Sequence, residues 1–173
     1  MYNVSIILGP LTPKDFDENE LFVIAIIFIT WFILFFIHRK DPVLLKTEIV
    51  ALFVFNMLFA TVGDRIFAEP PLDFYDTLDY AHGEFFDSIL QILVYPLPVI
   101  TFIHFYQKFK LNNIIFILLC AFILMGLEWI SAEYFNLFQF KKWENYYSYL
   151  FYCFAMVVNI LYFKWIGRLI KEA

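Results

Sequence analysis

Residues 21–37 form an apolar run without one charged side chain, closed abruptly by His38-Arg39-Lys40. A helix of that length rises about 25 Å at ~1.5 Å per residue, close to the short limit for crossing a ~30 Å hydrocarbon layer. Four more runs follow at 43–62, 85–105, 114–130 and 146–169. A water-soluble chain of 173 residues could not bury all five. Its composition, 62% hydrophobic and 17% charged, is far from the roughly 45–50% apolar and 25% charged usage of soluble domains. The expected fold class is all-α, an integral membrane bundle of five transmembrane helices. Residues 1–173 make one transmembrane domain with an acidic outer loop at about 64–84, and the lipid bilayer is the first partner.

Lys and Arg are retained on the cytoplasmic side of membranes, so their placement sets the orientation. An outside N-terminus and inside C-terminus put Arg39, Lys40, Lys46, Lys108, Lys110, Lys164, Arg168 and Lys171 inside. Lys14, Arg65, Lys141 and Lys142 are then outside, with Lys141-Lys142 a local exception in the last outer loop. The first 20 residues end in Asp15, Asp17, Glu18 and Glu20 and lack a basic leader, so they read as a retained outer segment rather than a signal peptide. The net charge of -5 is therefore a topology signal. No basic stretch interleaved with aromatics supports nucleic-acid binding. Cys120 and Cys153 fall inside apolar runs and read as small packing residues.

The outer loop carries Asp73, Asp76 and Asp79 at every third position, followed by His82, Glu84 and Asp87. Several carboxylates suit a hard divalent cation, and a His shifts preference toward zinc or manganese. Asp76, Asp79, His82, Glu84 and Asp87 are thus candidate metal ligands, although a solvated loop capping the third helix explains the same acids. No other cofactor is expected. Glu84, Asp87, Ser88, Gln91 and Tyr95 recur at steps of three or four, a polar stripe running roughly 16 Å into the third helix. Such a face avoids lipid and turns toward other helices or a hydrated cavity. Pro96 and Pro98 follow it, and their missing backbone donors predict a kink or break.

Asn56 in the second helix and Asn159 in the fifth are candidate helix-packing amides. Glu128 lies near the outer end of the fourth helix beside Trp129, where Lys142 or Arg65 would neutralise it. Trp143, Tyr146, Tyr147, Tyr149 and Tyr152 read as an interfacial aromatic belt. His38, His82 and His104 are too scattered for a His triad, and no catalytic residue is assigned.

Phe86-Asp87, Pro96, Phe105-Tyr106, Glu128-Trp129 and Lys142-Trp143 with Tyr147 give the stretch from about residue 64 to the end a likeness. It resembles a family of small multi-pass membrane proteins found mostly in endospore-forming bacteria, for which no activity is established. The resemblance implies a bacterial plasma membrane (the inner membrane), or the membrane of the spore or forespore. The chain departs from the family at Tyr147, where a His is common, and in its longer acidic loop.

Three functions stay open. The first is a non-catalytic structural or accessory subunit meeting another membrane protein or a second copy of itself as a homo-oligomer. The second is an ion or small-solute permeation protein using the polar face of the third helix. The third is a metal-dependent enzyme acting on a lipid headgroup.

Overall fold

A computed structural model describes residues 16–78 and 84–172. Five helices in it are long and apolar enough to cross a membrane. They are α1 (Glu18–Lys40), α2 (Lys46–Ala68), α3 (Phe85–Phe109), α4 (Asn113–Phe135) and α5 (Asn145–Glu172). Large apolar side chains such as Phe28, Phe32, Phe36, Ile115 and Leu161 are exposed around the bundle, a surface suited to lipid rather than water.

The helices reach past the apolar runs because polar residues finish them. Asp17 starts α1 with a capping box: its side chain accepts the Asn19 N–H, and the Asp17 N–H donates to Glu20 at 2.8 Å. Asn112 accepts the Ile114 N–H at the start of α4, and Asn136 ends that helix in the left-handed region. Gly63-Asp64 does not stop α2, which runs on to Ala68, just ahead of Pro70.

Helix α3 is the hub. It packs on α1, α2 and α5, and 56% of its most apolar window is buried, against 11% for α1 and for α2. The break expected at Pro96 and Pro98 is absorbed differently. Leu90–Val94 widen into one π-helical turn, in which the Tyr95 N–H donates to Leu90 O, five residues back, at 3.0 Å. Pro96 then occupies the first position of the following α segment, where its lacking N–H does no harm. The helix stays continuous through this change of winding.

The loops at one end of the bundle pair as a small antiparallel sheet, β1 (Tyr75–Thr77) with β2 (Phe138–Phe140). This two-stranded ribbon ties the α2–α3 and α4–α5 connections together and closes that end, here called the lid end. Lys141 fastens it, contacting Asp73 and Asp76 at 2.8 Å each. These carboxylates raise the pKa of the lysine above its ordinary value, with the Asp73 hydrogen bond the largest cause. With Lys141 and Asp73 at the surface and Asp76 half-buried, such pairs contribute only about 0–1 kcal/mol. Lys141→Met should therefore speed amide hydrogen exchange in β1 and β2 by roughly twofold to fivefold, and high salt should do the same to the wild type. An unchanged exchange rate in both would show that the bridges do not hold the sheet.

Two apolar clusters fill the interior. Leu52, Leu97, Ile100, Ile103, Met156 and Ile160 belong to a large one in the half away from the lid. Val23, Leu78, Leu90, Val94 and Leu137 form a smaller one under the sheet. At the far end Lys108 pairs with Asp41 at 2.7 Å, which holds the Asp41 carboxyl below its ordinary pKa. His104, read from the sequence as an interfacial side chain, is only 1% exposed there.

Candidate functional site

Between the two clusters, beneath the sheet, lies a chamber of about 210 Å³. All five helices and both strands reach it. On α2, Asn56, Ala60, Gly63 and Phe67 recur at helical spacing and form one wall, with Asp64 beside them. Tyr95 enters from α3, just after the π turn, and Glu128 from α4. Tyr152 comes from α5, Tyr75 from the lid and Trp143 from the loop after β2. Phe22, Phe59, Phe138, Phe140 and Phe151 make much of the remaining surface aromatic.

Its polar groups are held in two nets. Asp64 accepts the Tyr75 hydroxyl at 3.0 Å and the Gln91 amide at 2.8 Å. The same Gln91 nitrogen lies 3.2 Å from both oxygens of Asp87. Burial and the adjoining Asp64 carboxylate push the Tyr75 phenol above its ordinary pKa, so it stays a proton donor to Asp64. In the second net the Trp143 indole donates to Ser148 Oγ at 2.6 Å, and Ser148 Oγ donates to Glu128 Oε1 at 2.5 Å. The Tyr152 hydroxyl donates to Glu128 Oε2. Ser148 has one proton, and since its oxygen accepts from Trp143, that proton is aimed at Glu128. Tyr95 lines the same chamber as both nets.

The expected polar stripe is placed unevenly. Glu84, Asp87 and Gln91 are buried and Tyr95 reaches the chamber, but Ser88 is exposed and lies off the face. Neither Lys142 nor Arg65 pairs with Glu128, because Arg65 bridges to Glu69 at 3.2 Å along its own helix. Tyr152, read from the sequence as a belt residue, donates to Glu128 directly, and Trp143, read likewise, reaches it through Ser148. Asn56, in the chamber wall, meets Asn159 and the two exchange amide hydrogen bonds of 2.7 and 3.0 Å.

Of the candidate metal ligands, Asp76 is bridged to Lys141, while Glu84 and Asp87 are buried at the start of α3. Asp79 and His82 lie outside the described residues. Among the described residues no three His, Cys, Asp or Glu side chains are grouped to hold a metal ion.

Sequence reasoning did not bring Asp64, Tyr75 and Tyr152 to the site. Asp64 had a local signal, sharing a face of α2 with Asn56 and Gly63. Tyr75 and Tyr152 had none, since both depend on pairings across the fold.

The fold and its site define a class: a five-helix bundle with membrane-length helices and a lidded, aromatic chamber containing carboxylates. Compared with known proteins, the chain matches no family model, no curated protein and no solved structure.

Proposed function

We propose that the protein is a multi-pass membrane protein of the bacterial plasma membrane that binds a small organic cation in this chamber. The lid end faces outward, as the distribution of Lys and Arg favours. Glu128 is the observation that carries the reading. It is a carboxylate on a membrane-length helix, oriented by two hydroxyls, and no Lys or Arg among the described residues pairs with it.

Other features support an ammonium over a bare metal ion or an anion. Aromatic faces attract cations, most strongly when water is excluded, and Trp143, Tyr75, Tyr95 and Tyr152 surround the acids. A hard metal ion would want several oxygens in its own coordination sphere, whereas an alkylammonium is satisfied by ring faces and one or two carboxylates. An anion would meet Asp64 and Glu128 unfavourably. Leu97, Ile100 and Met156, fully packed below the chamber, favour binding from one side over a path through a single chain.

The test is saturable binding of radiolabelled tetramethylammonium to the protein in nanodiscs. Glu128→Gln should weaken it at least about tenfold, as expected for losing a charged contact of roughly 1.5–3 kcal/mol. The thermal stability of the variant should stay close to wild type, because the amide still accepts from Ser148. Absence of saturable binding by the wild type, across tetramethylammonium and small alkylamines, would sink the reading.

A further inference from the structure

On the other side of the chamber wall, between α2 and α5, runs an apolar groove of about 490 Å³. Phe55, Leu58, Val62, Ile66 and Phe154 line it, and Phe59, Gly63, Phe67 and Phe151 line both the groove and the chamber. The seam between α2 and α5 that separates the two is thus formed by three rings and a glycine. Phe151 stacks on Phe59 at 5.9 Å and meets Phe67 edge-on at 5.7 Å. Gly63 lies directly against Phe151: a Cβ there would reach ordinary contact with the ring at 3.7 Å.

Resting on the cation-binding reading, we propose that the chamber's ligand is an amphiphile. Its ammonium headgroup sits between Asp64 and Glu128, and its single alkyl or acyl chain lies in the α2–α5 groove after entering sideways from the bilayer. Depth and length both fit. Asp64 lies four residues from the end of α2 and Glu128 seven from the end of α4, roughly 6 and 10 Å below the lid end. That is where a headgroup meets the start of its chain. From Gly63, level with the acids, down to Phe55 the groove follows α2 for roughly 12 Å, within the ~15 Å of hydrocarbon in one leaflet. The groove has no polar side chain to repel a chain, and the chamber is too small to take one.

The experiment compares tetramethylammonium with dodecyltrimethylammonium, both radiolabelled, on the full chain in nanodiscs, with empty nanodiscs subtracted for partitioning. Val62→Trp and Leu58→Trp fill the groove at positions that are exposed and do not line the chamber. Both ligands should bind the wild type. Each tryptophan variant should weaken the dodecyl compound about tenfold or more, with tetramethylammonium binding unchanged, which also certifies the fold. Equal dodecyl binding by wild type and both variants would overturn the groove as the chain's place. Tetramethylammonium binding without dodecyl binding would overturn the amphiphile while leaving the cation site intact. Failure of the wild type to bind either compound would overturn both.

Discussion

Leu78→Ala is expected to destabilise the lid by about 2–5 kcal/mol, the usual cost of emptying a buried leucine site. Leu78 is fully buried against Val23, Leu90, Val94 and Leu137, and it follows β1 directly, so it pins the sheet onto α1 and α3. Its backbone also sits in the left-handed region, with φ 61°. A side chain there costs roughly 1–2 kcal/mol, and this position accepts that strain because the leucine fills the core beneath the sheet. The two terms predict an unusual order of variants. Leu78→Ala loses the packing and keeps the strain, while Leu78→Gly loses the packing and sheds the strain. Glycine should therefore be less harmful than alanine by about 1 kcal/mol, the reverse of the normal ranking in an ordered segment. Hydrogen exchange of the amides in β1, Leu78 and β2 reads this as local opening, separately from the helices. If glycine is the worse substitution, the left-handed backbone is not what limits this position.

Five long apolar runs announce their helices through length and composition alone, and α1 to α5 follow them. Helix ends were less legible, since Asp17, Asn112 and Asn136 act through their own backbone geometry rather than through hydropathy. Pro96 and Pro98 predict a kink or break, whereas the helix runs on through them and the irregular turn is a π turn upstream, at Leu90–Val94. Three-residue strands such as Tyr75–Thr77 are too short to leave a period, and β1 and β2 exist only through pairing with each other. The chamber shares that difficulty. Glu128 was visible as an acid on an apolar helix, but Ser148 and Tyr152 become its partners only when α4 and α5 fold back as a hairpin.

Asn56 and Asn159 connect a local signal to a nonlocal contact, and their substitution has the second large expected effect. Each amide nitrogen spends one hydrogen on the carbonyl four residues back, Leu52 or Ala155, and the other on its partner's oxygen. The pair is closed: each donor is used and each oxygen accepts a proton. Both side chains are at least 95% buried, at 5% and 0% exposed, so water does not replace a lost bond. Asn159→Leu leaves Asn56 with an orphaned oxygen and one unused hydrogen, a cost of roughly 1–3 kcal/mol. Asn56→Leu should cost a similar amount for the same reason. The double variant has no amide left to satisfy, so it should recover to within about 1 kcal/mol of wild type, in keeping with the ~0.6 kcal/mol average worth of such bonds between membrane helices. Thermal unfolding of the four proteins in one detergent closes the cycle. Singles as stable as wild type would mean the amides reach other partners, and a double variant as weak as the sum of the singles would mean the loss is one of packing.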